Sequence, residues 1–221
     1  MTDLKALLSS IDAVIFDMDG TIVNTEPLHA KAAAIVLNDL GIKIDLESCL
    51  DKFYGMTDTA VLKITCPMLN DSEIESAIVE KNINLIKLFE QLNPTEKERY
   101  ITPGLFNFLN FLKKENKQLA VVSASEDIIV SETLKCFSIE SYINIQMGRR
   151  QTILTKPHPE PYLEGMRRLN THAAKTLIFE DSPTGLASAI ASGASVVRIT
   201  GFAHSNKVLH TNERADFVFN Y

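Results

Sequence analysis

Cysteine is scarce in this sequence: Cys49, Cys66 and Cys136 are the only three in 221 residues. They are widely spaced, odd in number and accompanied by no Cys-x-x-Cys or Cys/His cluster. That excludes a disulfide framework and a thiolate metal centre and leaves buried free thiols. Long apolar runs are missing too. The hydrophobic stretches are short and broken by charge, and the N-terminal MTDLKALLSSID has neither a long apolar core nor a small-residue cleavage site. The chain therefore reads as soluble and cytoplasmic, with no membrane partner. Positive charge is in deficit: 22 Lys and Arg face 28 Asp and Glu, for a net charge of −6 and a pI near 5.4. This argues against a nucleic-acid surface, and the short basic run KKENK at residues 113–117 reads as a solvated helix end. No internal repeat or low-complexity segment stands out. The remaining composition, 45% hydrophobic and 23% charged, suits one large globular domain or two smaller ones.

The apolar pattern changes along the chain. Residues 13–16, Ala-Val-Ile-Phe, are β-branched and aromatic without alternation, which suits a strand covered on both faces. From Glu26 to about Arg99 the pattern is helical almost throughout: EPLHAKAAAIVLNDLG runs to Gly41, and Ile74, Ile78, Leu85, Phe89 and Leu92 mark one long amphipathic face. From Tyr100 helices alternate with the strands QLAVVSAS, residues near 143–147, TLIFED and SVVRIT. That alternation is the signature of a parallel sheet with helices on both faces. The expected class is α/β: a Rossmann-like parallel sheet core built from residues 1–23 and 100–221, with an all-α helical domain, residues 24–99, inserted after the first strand.

In such sheets ligands bind at the carboxyl ends of the strands. The first strand runs into Asp17 and, one residue on, Asp19. Side chains two apart on extended backbone point the same way. Two carboxylates ~4 Å apart at an effective dielectric of ~20 repel by roughly 4 kcal/mol, so the pair implies a cation, a shared proton, or both. The second strand ends in Ser123 with Ser125 close behind, the fourth in Glu180 and Asp181, and Lys156 follows the third in TKPHPEPY. Singly, several of these have ordinary structural roles; Asp181 before Ser182 and Pro183, for example, suits a helix cap. Two acids directly after a wholly apolar strand do not. Oxygen ligands without His or Cys favour a hard cation, magnesium before zinc, and with a lysine and hydroxyls they suit a phosphoryl group.

The stretches FDMDGTIVNTEP, VVSAS, KPHPEPY and FEDSPTGLASAIASG resemble, in order, the four motifs of the haloacid dehalogenase superfamily, in the branch of β-phosphoglucomutase-like phosphatases with a helical cap. The resemblance implies a monomeric, magnesium-dependent phosphatase that hydrolyses a small phosphomonoester, such as a sugar phosphate, through a phospho-aspartyl intermediate. It implies Asp17 as nucleophile, Asp19 as general acid/base, and Ser123 and Lys156 as phosphoryl clamps. The implied magnesium ligands are Asp17, the backbone carbonyl of Asp19, Asp181, and Glu180 directly or through water. Gly20, Thr21, Ala124 and Ser125 lie in the same motifs on the substrate side. There Gly20 lets the chain leave the strand sharply, and the Thr21 hydroxyl faces the phosphoryl oxygens. In the cap, Thr25, His29, Gly55, Met56, Thr57 and Asp58 occupy the segments that the family uses for substrate and hinge groups. β-Phosphoglucomutase places an arginine just after a Gly-x-Ser of the cap to hold a second phosphate. Here the matching stretch is GMTD with Asp58 in that place, and residues 24–99 carry 8 basic and 13 acidic side chains. An acidic cap favours a phosphatase over a sugar phosphomutase, and the large helical insertion disfavours a phosphoacceptor signalling module. Arg149 and Arg150 read as an exposed pair.

Overall fold

The computed structural model describes residues 7–53, 56–200 and the strand at 217–219. Strand β1 (Ala13–Phe16) is buried along its whole length, as four consecutive apolar side chains require. The other strands are β2 (Gln118–Val122), β3 (Ile145–Met147), β4 (Thr176–Glu180), β5 (Ser195–Ile199) and β6 (Phe217–Phe219). Together they form one sheet in the order β3-β2-β1-β4-β5-β6, every adjacent pair parallel. Ala13 thus lies opposite Gln118 on one side and Thr176 on the other. The strand order reverses at β1, so a crevice opens at its carboxyl end, immediately before Asp17.

Contact within the chain divides it into two compact units, residues 1–24 with 98–221 and residues 25–97. The second unit holds α1 (Glu26–Asp39), α2 (Leu46–Phe53), α3 (Asp58–Thr65) and α4 (Asp71–Gln91), and a short α5 (Pro94–Glu98) follows. A capping box starts α4: Asn70 Oδ1 accepts from the Glu73 N–H at 3.0 Å, and the Glu73 carboxylate accepts from the Asn70 N–H at 2.8 Å. Its residues Ile74 and Ile78 pack with Val36, Leu37, Val61 and Leu62. Each such burial contributes about 1.5–3 kcal/mol, which gives this unit a core of its own.

In the first unit the sheet is flanked by α6 (Leu105–Lys114), α7 (Asp127–Cys136), α8 (Glu160–Arg168) and α9 (Pro183–Ala191). Ile15, Val122 and Ile178 share one buried cluster with Tyr162 and Met166 of α8 and Leu186 of α9. Phe16 and Phe179 stack at 5.1 Å between centroids. Where the chain leaves this unit and returns to it, Val23 and Ile101 form an antiparallel bridge and the Asn24 N–H donates to Tyr100 O at 2.7 Å.

The sixth strand is not among those expected, although its residues Phe217–Phe219 are apolar. The second and fourth strands end before the stretches QLAVVSAS and TLIFED do, so Ser123 and Asp181 occupy the first position beyond each. Among the described residues no helix is long and apolar enough to cross a membrane.

Candidate active site

Three strand ends meet on one side chain. Lys156, in the loop after β3, donates from Nζ to Asp17 Oδ1 (2.6 Å), Glu180 Oε1 (2.8 Å) and the Val122 carbonyl (3.0 Å). These acceptors terminate β1, β4 and β2. The ammonium also lies 4.7 Å from the centroid of the Tyr162 ring. Burial alone would lower the Lys156 pKa, but the Asp17 and Glu180 carboxylates hold it above the ordinary lysine value.

Asp17 is held in place by its own N–H, which donates to Phe179 O at 2.9 Å. Asp19 is reached from the end of β2: Ser125 Oγ donates to Asp19 Oδ2 (3.1 Å), while the Ser125 N–H donates to Ser123 Oγ (3.0 Å). Ala124, between the two serines, is exposed. Gly20 has φ +89°, and a Cβ there would stand 2.2 Å from Asp181 Oδ2, so both conformation and space demand glycine.

Carboxylate oxygens of Asp17, Glu180 and Asp181 lie within 4.8 Å of one another. Burial raises the Asp17 carboxyl well above the ordinary carboxylate range; Lys156 opposes this, and Glu180 and Asp181 add to it. Burial, then the charge of Glu180, pushes Asp181 up to about 8, against the Thr21 hydroxyl and Lys156. Carboxylate oxygens crowded this closely repel one another, and a set of oxygen ligands without His or Cys fits a hard divalent cation.

The helical unit has a buried charge of its own. Lys81, midway along α4, is 5% exposed. Its Nζ contacts His29 Nδ1 at 2.8 Å and Asp58 Oδ2 at 3.0 Å. Burial, then the Lys81 ammonium, holds the His29 pKa well below the usual histidine value, so the ring is neutral and Nδ1 accepts from the lysine.

The sequence model of the haloacid dehalogenase-like hydrolases matches residues 14–199. The chain belongs to this family. It is 30% identical over 201 residues to a phosphorylated carbohydrates phosphatase of Thermotoga maritima, covering 88% of this chain and 87% of the relative. It is 26% identical over 191 residues to hexitol phosphatase B of Escherichia coli K12, covering 84% and 81%. Its fold is that of β-phosphoglucomutase from Clostridium difficile, with TM-score 0.76, 21% identity, and coverage of 95% of this chain and 91% of that one.

Within this hydrolase the four motifs supply Asp17, Lys156, Glu180 and Asp181 to one cluster and Asp19, Ser123 and Ser125 to a second hydrogen-bonded set. The Thr21 hydroxyl differs from its expected aim. It donates to Asp181 Oδ1 at 3.0 Å, and the Thr21 carbonyl accepts from Thr102 Oγ1 at 2.8 Å, so the residue orders the acid cluster. Arg149 and Arg150 both pair with Glu126. In the helical unit His29 and Asp58 come together on Lys81. Thr57 caps α3 by accepting from the Ala60 N–H at 3.2 Å. Thr25 precedes α1 as its fully buried N-cap residue, Met56 is exposed, and Gly55 lies outside the described residues.

Sequence reasoning missed Lys81, Tyr162 and Gly185. Lys81 had a signal: it stands three residues after Ile78 and four before Leu85, on the apolar stripe where a lysine needs a partner. Tyr162 lies in the quoted KPHPEPY, where only Lys156 has an expected role. Its hydroxyl donates to Glu180 Oε1 at 3.0 Å.

Proposed function

We propose that this hydrolase is a magnesium-dependent phosphatase acting on a phosphorylated sugar or a similar small phosphomonoester. The observation that carries the reading is the Lys156 ammonium, bound to the carboxylate after β1 in the crevice where the strand order reverses. A lysine and a poised carboxylate at that point are what transfer of a phosphoryl group requires. The Thermotoga and Escherichia relatives, named for phosphorylated carbohydrates and hexitols, support the substrate class.

In the first half-reaction Asp17 attacks phosphorus. The ester P–O bond breaks, and Asp19 gives its proton to the departing alkoxide, leaving a phospho-aspartate and the free alcohol. In the second, Asp19, now a carboxylate, takes a proton from water as that water attacks phosphorus. The bond from phosphorus to Asp17 breaks, inorganic phosphate leaves and Asp17 is restored. Lys156 and Ser123 hold the phosphoryl oxygens, and Ser125 orients Asp19. Asp17, Asp181 and the Asp19 carbonyl would hold magnesium, whose charge lets an anionic nucleophile meet an anionic phosphate. The inserted helical unit is assigned the exclusion of water and the choice of alcohol.

Hydrolysis is preferred to a mutase reaction because Asp58 pairs with Lys81. A sugar bisphosphate needs a free cation in the cap, and here the buried lysine is already neutralised. Phosphate release from sugar phosphates, hexitol phosphates, phosphoglycolate and nucleotides, with and without magnesium, tests the reading. Steady magnesium-dependent release from a sugar or hexitol phosphate is expected; release from none of the panel would refute it. If β-glucose 1-phosphate with a trace of the bisphosphate isomerises faster than it releases phosphate, the enzyme is a mutase instead.

A further inference from the structure

Two loops at the carboxyl rim of the sheet, residues 123–126 after β2 and residues 148–151 after β3, are tied to each other by three separate means. The Arg149 N–H donates to the Ser125 carbonyl at 2.9 Å, continuing the pattern in which the Ser123 N–H donates to Met147 O at 2.9 Å. The Gly148 N–H donates to Asp127 Oδ1 at 2.8 Å. Glu126 then sets one carboxylate oxygen against each of two adjacent arginines: Arg149 Nε lies 3.0 Å from Oε1 and Arg150 Nε 2.5 Å from Oε2.

Nothing in α7 itself calls for this arrangement. Glu126 is the N-cap residue of that helix, yet its side chain makes no cap bond and turns to the other loop instead. The Glu126 side chain is 12% exposed, against 34% for Arg149 and 56% for Arg150, so its charge is the sheltered one and depends on its partners. The loops also meet at very close range. A Cβ on Gly148 would stand 2.5 Å from Asp127 Oδ1 and 2.6 Å from the Asp127 nitrogen, so no larger residue fits between them.

The residue held by this clasp is Ser125. Its carbonyl accepts from the Arg149 N–H, its own N–H donates to Ser123 Oγ (3.0 Å), and its hydroxyl donates to Asp19 Oδ2 (3.1 Å). We propose that Glu126 is a positioning residue for Asp19: by bridging Arg149 and Arg150 it keeps the loop after β3 closed on Ser125, and Ser125 in turn fixes the Asp19 carboxyl where it meets the departing alcohol. This rests on the magnesium-phosphatase reading. Without Glu126 the two neighbouring guanidinium groups repel each other, the turn at Arg149–Gln151 loosens, and Ser125 loses the donor on its carbonyl. A misplacement of about 1 Å at a reacting group costs about 10²-fold in rate. The loss falls only on esters whose leaving group needs a proton, because the attack by Asp17 does not pass through Ser125.

Glu126→Ala and Gly148→Ala attack the clasp from its two sides, one by removing the carboxylate and the other by wedging the loops apart. The test is the rate of alcohol release in a single turnover, with magnesium, for the full-length wild type and both variants. One ester is a sugar or hexitol phosphate that the wild type hydrolyses; the other is para-nitrophenyl phosphate, whose nitrophenolate departs without a proton. Single turnover is required because Asp19 acts as base in the second half-reaction of every ester. Both variants are expected to slow release of the sugar or hexitol by about ten- to a hundredfold and release of nitrophenolate by less than about twofold. In the same variants, without substrate, hydrogen exchange at the Arg149 amide should quicken by about tenfold or more while exchange at Val121 of β2 stays within about twofold. Equal losses with both esters would overturn the proposal, since the loops would then merely support the site, and so would an Arg149 amide that keeps its protection. Gly148→Ala decides the matter if Glu126→Ala does not fold. A wild type that hydrolyses neither ester overturns the phosphatase reading and this proposal with it, whereas an active wild type whose variants show no split between esters overturns the proposal alone.

Discussion

Gly185→Ala is expected to destabilise this protein although it places a better helix former in a helix. In an ordinary helix interior the exchange gains about 0.5–1 kcal/mol. At the third position of α9, however, the new Cβ would stand 1.5 Å from Glu180 Oε1. The tip of a flexible side chain usually swings clear of such a clash. Glu180 has nowhere to swing, being fully buried with donors on both oxygens. Displacement breaks at least the bonds from Lys156 and Tyr162, each about 1.5–3 kcal/mol with a charged partner. After the helix gain is subtracted, the net loss is about 2–5.5 kcal/mol, which spans the range found when a buried ion pair is broken. For a chain of this length that is a fall in Tm of about 4–22 °C. Thermal melting and urea unfolding at 25 °C would measure it. A variant within about 1 kcal/mol of wild type would refute the claim that Glu180 is immobile.

Asp17→Asn should lower phosphate release by about 10⁴-fold or more with no loss of thermal stability, since no neighbour can replace a covalent nucleophile; retention of a tenth of the activity would sink the assignment. Without metal the Asp181 carboxyl is pushed up to about 8 in the folded protein, so it holds a proton that the unfolded chain releases near pH 4. Stability should therefore fall as pH rises from about 4 to 8. Magnesium replaces that proton, so the gain in Tm on adding it should grow from pH 5 to pH 8, and a pH-independent gain would contradict the crowded cluster. Lys81→Met removes the smaller of the two causes that depress His29. NMR titration of the ring protons should show the His29 pKa rising yet staying below the ordinary histidine value; an unmoved midpoint would mean that Lys81 does not act on the ring.

Asp17 and Asp19 were legible because strand end and acid are adjacent in the chain, and four apolar residues before a carboxylate have few meanings. Lys156, Ser123 and Asp181 became legible only in concert, through a topology that places every strand's carboxyl end on one rim. What escaped was contact that no spacing encodes. The Thr21 hydroxyl turns to Asp181, 160 residues away. Tyr162 reaches Glu180 because α8 packs on the sheet behind it. Gly185 matters for the volume of a side chain on another element, and a glycine in a helix carries no mark of what fills its place.

β1 is synthesised before the other described strands, yet it lies in the middle of the sheet. Its neighbours at Gln118 and Thr176 follow about a hundred and about a hundred and sixty residues later. At about 5–20 residues per second, Ala13–Phe16 leaves the ribosome at least ~5–20 s before its first partner. Through that interval four apolar side chains and two unpaired strand edges are open to association with other chains. The helical unit, whose core joins Val36, Leu62 and Ile78, is fully synthesised in the meantime. Sheet formation is therefore a late, non-local event that closes around a strand kept waiting, and any fragment that retains β1 without β2 and β4 carries the whole hazard of that wait into the finished polypeptide.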